Sequence, residues 1–500
     1  MRLLSLLCLF LFAGAPALFA NNIQITNVQV ADELVPNNVN GGYLLTITFD
    51  LSWENSWRLA TGPANLDGGY VFAYYRQDGG DWTFMGNTLA TNNPNFNVTG
   101  FSENGSLYYR KASNSGSGDA IASNLTYRGQ IDDPNIDLNA AIEVRMFAVE
   151  MVWIPEGDFQ IGDGGNLPNE FYRPTASGGR EPYRILSESS LTVGAGSGLN
   201  ISQDNVGSGV NSGTIPADYP KGHDGFWMMK YEVSQQQYVD FFNTLTDEQK
   251  ILLDPTGPNG KNTDAVVDRN GCTWTGSGDM ATTLPTVAMN YVSPTMIYAY
   301  LDWAGIRPMT ELEYTKAARG TLSVVSGEFA WGTADIYGAS YTAVNVGTAN
   351  EGVSNISITE GNAQYAETDD VGGPLRVGAI AASVVTPGRE QAGAGYYGVM
   401  DLSGNLTEIC ISAGATAARS FTDQRGDYVL DYTPAGGFTW PTSWPSSTSG
   451  SSLSFRGGAY RDGPDRLRVA DRFFGASSFS QGRRDLGFRG AVRAGYTSVN

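Results

Sequence analysis

Between Tyr43 and Trp53 the chain settles into a period of two. Tyr43, Leu45, Ile47, Phe49, Leu51 and Trp53 are apolar, and Thr46, Thr48, Asp50 and Ser52 stand between them. Successive side chains of a strand point to opposite faces, so this pattern demands a half-buried strand and fits no helix. A hairpin signal follows. Residues 70–76 and 81–85 are rich in aromatic and β-branched residues and flank Gln77-Asp78-Gly79-Gly80, a link suited to a tight turn. Residues 107–110 and 142–147 carry the same kind of pattern. Short strands with Gly, Asn and Ser turns predict an all-β, sandwich-like domain over 21–148.

Five hundred residues exceed one ordinary core, so a second domain is expected over 149–500. Its helical signals are short and well marked. Ser234 is an N-cap, and Tyr238, Phe241, Phe242 and Leu245 recur at helical spacing on one face. Ser293-Pro294 is an N-cap with proline in the first turn. Met296, Tyr300 and Trp303 then share a face, and Gly305 ends the helix. Thr310 and Glu313 form a capping box for a helix ending at Gly320. Residues 163–220, rich in Gly, Ser and Asn, read as surface loops. The 62 glycines require many turns, while 11% aromatic residues exclude disorder.

Residues 1–20 read as a secretory signal: Arg2, an apolar run, then Ala15-Pro16-Ala17 and Ala20 as two cleavage choices. The run is too short to span a bilayer, and no later stretch predicts a transmembrane segment. The expected location is periplasm, cell surface or medium. A formal charge of −20 repels phosphate backbones, so no nucleic acid is expected as partner. Outside the signal only Cys272 and Cys410 remain, either paired or as two isolated thiols. The one histidine, His223, lies in a loop-like run and reads as a surface residue. A Ser-His-Asp triad or a multi-histidine metal site finds no support.

The order of motifs from 151 to 493 resembles the sulfatase-modifying-factor family, whose founding members are formylglycine-generating enzymes. The pieces are residues 151–162, Tyr231-Glu232-Val233-Ser234, residues 303–314, Ala330-Trp331-Gly332, residues 397–405, Arg456-Gly457-Gly458 and Leu486-Gly487-Phe488-Arg489. The resemblance implies an irregular, C-type-lectin-like α+β domain behind the β-sandwich. Those enzymes hold copper with two cysteines, soft ligands suited to that ion. The match puts their positions at Val469 and about Pro464, so no copper is expected. The family's Gly-Asn-x-Trp-Glu-Trp becomes Gly404-Asn405-Leu406-Thr407-Glu408-Ile409, which reshapes the pocket. Structural calcium is implied at Asp401, Gly404, Leu406 and Glu408, with a second site at Asn345, Val346 and Asp369.

Between the two Arg-Gly signatures lies a run of paired charges. It reads either as internal ion pairs or as a recognition surface built from Arg461, Asp465, Arg466, Arg468, Arg472, Phe473 and Phe474. The expected function is a non-catalytic binding or structural component of the bacterial cell envelope, with a protein or glycan partner. The competing readings are a C-type-lectin-like receptor using residues 461–482, and an enzyme of divergent chemistry.

Overall fold

The structure, a computed structural model, describes residues 23–493 except 32, 39–40, 89–92, 102–104, 134, 166, 195, 197, 206, 368–369, 385–387 and 448–451. The signal segment therefore lies outside the described residues. The first strands are β1 (Gln24–Val30), β2 (Tyr43–Arg58), β3 (Asp67–Gln77) and β4 (Thr83–Asn87). They are followed by β5 (Phe96–Phe101), β6 (Gly105–Arg110), β7 (Gly116–Ile131) and β8 (Ile142–Ile154). The alternating stretch is β2, with Leu45, Ile47, Phe49, Leu51 and Trp53 buried. It pairs antiparallel with β1 and β7. The predicted hairpin is β3 and β4, in register Ala73↔Met85. Its turn sets Asp78 at φ 49° and Gly79 at φ 72°, the left-handed pair that matches strand twist.

Strand β4 pairs with β3 at one end and β7 at the other, so it joins the two faces of the sandwich. Between those faces lies a core of Ile47, Phe49, Val71, Ala73, Met85 and Tyr127, among others. The sheet does not stop there. Strand β8 pairs with β3 on one side and with β9 (Phe226–Met229) on the other. Beyond β9 come Gly490–Val492 and Arg307–Pro308. The boundary expected at 148/149 thus falls inside β8, and one twelve-stranded sheet runs through both halves.

The molecule is mostly sheet with few helices. The predicted ones form as α1 (Gln235–Phe242), α3 (Pro294–Trp303) and α4 (Glu311–Arg319). Between the first two lies α2 (Asp247–Leu253). Ser234, Ser293 and Thr310 cap their helices through side-chain oxygens, as the sequence requires. Gly305 follows α3 at φ 64°, and a Cβ there would lie 2.1 Å from the Tyr428 ring, so both backbone and packing demand glycine.

Strand β3 is buried on both faces. Val71, Ala73 and Tyr75 enter the sandwich core, while Tyr70, Phe72 and Tyr74 enter the larger core of the second half. There Phe72 and Trp303 meet edge to face at 4.9 Å, and Tyr74 stacks on Trp303 at 5.6 Å. The Tyr70 hydroxyl donates to the Ala304 carbonyl at 3.0 Å. Lys230, directly after β9, answers Glu150 on β8 at 2.9 Å and Asp67 on β3 at 3.7 Å, all three fully buried.

Two expectations are corrected. Residues 163–220 are not surface loops. They make short strands that bury Phe171, Ile185, Val193, Leu199, Ile201, Ile215 and Tyr219 in the main core, because an apolar residue recurs in each glycine-spaced segment. His223 is largely covered, with 14% of its side chain exposed and Nε2 3.2 Å from Asp158 Oδ1. Cys272 and Cys410 are free and buried, in different core clusters.

Candidate functional site

The two Arg-Gly signatures come together on a small sheet. Thr407–Ile411 pairs antiparallel with Leu453–Arg456 and parallel with Leu486–Gly487. The arginines of this region point inward. Arg489 holds both oxygens of Glu408, at 2.6 and 2.7 Å, and also donates to the Lys230 carbonyl. Arg472 holds both oxygens of Glu311, at 2.7 and 2.9 Å, with its guanidinium 3.9 Å from the Phe171 ring centre. Arg456 lies 3.6 Å from the same carboxylate. Burial pushes the Glu311 carboxyl up, but Arg472, Arg456 and the Ala413 N–H together outweigh it and hold the group below its ordinary value.

Nearer the surface the same chemistry repeats in looser form. Arg466 pairs with Asp471 at 3.0 Å and covers Phe473 at 3.5 Å. Desolvation lifts the Asp471 carboxyl to about 6 against the pull of Arg466. Arg468 pairs with the exposed Asp465 at 3.1 Å and donates to the Gly327 carbonyl. Arg461 comes no nearer than 3.9 Å to Glu367. Of the proposed recognition surface, Arg472 must be removed: its side chain is fully buried and both guanidinium edges are engaged. Arg472 is internal bracing, and the part left at the surface is Arg461, Asp465, Arg466, Arg468, Phe473 and Phe474.

Phe473 and Phe474 meet edge to face at 4.7 Å, and Phe474 is 38% exposed. They form one wall of a cleft of about 660 Å3. The other walls are Asn205 with Gly207–Val210, Gly414–Ala417 and Ala476–Ser478. Those segments pin each other through backbone bonds, Val210 N to Gly414 O at 2.8 Å and Ala476 N to Gly207 O at 2.7 Å. Phe473 and Phe474 were visible in the sequence as an aromatic pair. The two glycine loops facing them were not, since only long-range pairing brings them there.

None of the described lining residues is Asp, Glu, His, Cys, Lys or Arg. Its described walls offer rings, hydroxyls, the Asn205 amide and backbone, but no group able to take up or release a proton near neutral pH. Pro464 opens a single 3-10 turn, and Val469 is fully buried in the core that also holds Cys410, Met309 and Tyr314.

The calcium expectations can be tested on their donors. Glu408 is neutralised by Arg489 on both oxygens, and Asp401 Oδ2 accepts from Gly378 N at 2.7 Å. Gly404 and Leu406 belong to the same turn, where Leu406 N donates to Glu232 at 2.9 Å. Among the described residues no three His, Cys, Asp or Glu side chains are grouped as a metal requires. Asn345 and Val346 are exposed, with Asn345 at φ 53° and bonded to the Asn350 carbonyl at 3.2 Å. Asp369 lies outside the described residues.

Residues 141–494 match the sulfatase-modifying factor enzyme 1-like domain, well over half of the chain. The chain belongs to that family. The match opens at the start of β8, the strand shared by both halves, and covers every wall of the cleft. No curated protein matches the chain. Among solved structures, the pilus backbone protein of Streptococcus pneumoniae is similar at 11% identity over 41% of this chain and 78% of that one. Its TM-score of 0.14 lends that likeness no weight. The α+β, mostly sheet architecture is the C-type-lectin-like fold of the family. Among the described residues no helix is long and apolar enough to cross a membrane.

Proposed function

We infer that this family member is an exported, non-catalytic binding protein of the bacterial cell envelope, and that its cleft takes an extended peptide segment of a protein partner. One observation carries this reading: the largest cleft of the closing region is lined by Phe473, Phe474 and small residues, with no titratable side chain among them. Small residues leave backbone N–H and C=O groups within reach of a partner's backbone, and two rings supply an apolar anchor. The positions that match the enzymes' copper-binding cysteines hold Pro464 and Val469, which supply no metal ligand. The charged surface of a glycan or carboxylate receptor is weakened by the inward turn of Arg472.

A peptide library displayed to the purified protein tests this. Extended peptides with an aromatic or large aliphatic residue are expected to bind, and Phe474→Ala to lower affinity by about tenfold. Binding by glycans instead, or peptide binding indifferent to Phe474→Ala, would refute the reading. Copper retained by the purified protein would do the same.

A further inference from the structure

A second cleft, of about 280 Å3, opens where the sandwich meets the family domain, and Phe72 and Trp303 of the shared core reach its wall. Its walls include Ile25 from β1 and Met146 and Phe147 from β8, each half-buried. Helix α1 contributes Gln236 and Asp240. The Asp240 Oδ1 atom accepts from Gln236 Nε2 at 2.8 Å. The other oxygen has no partner among the described residues.

One cation, Arg145, lines the cleft as well, but it is already engaged. Arg145 donates to the Asn243 carbonyl at 2.9 Å, lies 3.9 Å from Asp279 and sits over the Trp82 ring at 4.5 Å. The cleft therefore presents an anionic acceptor against hydrocarbon, with its nearest counter-charge spent elsewhere. A carboxylate ligand would be repelled by Asp240. A neutral ligand would leave the carboxylate uncompensated in a partly dry site. An ammonium on an apolar stem satisfies both surfaces, and a chain of formal charge −20 attracts it from a distance.

We propose that this seam cleft binds a primary amine carried on an apolar stem, with Asp240 taking the ammonium and Ile25, Met146 and Phe147 taking the stem. The pH dependence has a definite sign. Desolvation pushes the Asp240 carboxyl up to about 6, partly offset by Gln236 and Arg145. The charged or titratable groups facing it are Arg145 from β8 and Tyr300 from α3, whose phenol burial keeps neutral. Amine binding is therefore present above pH 6 and lost as pH falls through it, when Asp240 takes up its proton.

Calorimetric titration of the full chain with hexylamine, hexan-1-ol and hexanoate tests the proposal. Above pH 6, hexylamine is expected to bind about tenfold more tightly than hexan-1-ol, as suits a hydrogen bond to a charged group. That preference should vanish below pH 6 and in Asp240→Asn. Equal binding of hexan-1-ol, tighter binding of hexanoate, or a preference that survives Asp240→Asn would overturn it. The comparison of the three ligands on the unaltered protein stands even where the variant folds poorly.

Discussion

Strand β3 and the arginines that frame the closing run, Arg456, Arg472 and Arg489, are both interior, but they are kept there by opposite means. Strand β3 puts Val71, Ala73 and Tyr75 into one core and Tyr70, Phe72 and Tyr74 into another. Its burial is hydrophobic and non-directional. The closing run instead buries Arg456, Arg472 and Arg489, each beside a glutamate on another element. An apolar side chain finds a favourable place in any core of suitable shape, whereas a buried guanidinium needs its one partner at the right distance. The first region tolerates substitution by volume; the second depends on pairs.

That contrast can be broken by mutation. Glu311→Ala leaves Arg472 unpaired in the interior and should cost about 3–5 kcal/mol in a denaturant titration. Replacing the pair together, Glu311→Leu with Arg472→Met, should recover part of that loss, since Arg456 still faces the lost carboxylate. Phe72→Ala should cost a similar amount, about 3–5 kcal/mol, and no polar second-site change should restore it. If Glu311→Ala and the double replacement prove equally unstable, the closing run is held by packing and the contrast fails.

An effect spread over several pH units comes from titration. Asp302, at the end of α3, accepts from Asp427 N at 3.1 Å, and burial followed by Asp427 lifts its carboxyl to about 8. The folded state thus holds this proton more tightly than the unfolded one. The stabilisation is full below the ordinary carboxylate range and is lost as pH rises toward 8. Between those limits stability should fall by up to about 1 kcal/mol per pH unit, and Asp302→Asn should flatten the profile. An unchanged slope in that variant would place the titrating group elsewhere. Smallest of all is Asp465→Ala. Asp465 is itself 75% exposed, so losing its ion pair with Arg468 should lower stability by about 0.5 kcal/mol or less.

Much of the fold was legible because its signals are local. The alternation in β2, the hairpin turn and three capped helices each reside within a dozen residues. Helix α2 could have been read from Thr246 and Gln249, which form the same capping box as the others. The candidate site was less legible. Arg472 looks like a surface arginine until Glu311 is known to face it from 161 residues away. The cleft is built from segments near 207, 415 and 475 that share no pattern. The continuous sheet was hidden for another reason. Strand β8 reads as the last strand of one domain and the first of the next, and it is both.

The double burial of β3 also bears on how the chain is made. A growing chain releases Tyr74 long before Trp303, whose carbonyl it meets across 229 residues. Until then one side of the early sandwich is a bare aromatic strip. Contacts so distant along the chain close late and slowly. The first region to emerge is thus among the last to be finished, and a holdase that shields aromatic surface has its clearest target at Tyr70, Phe72 and Tyr74.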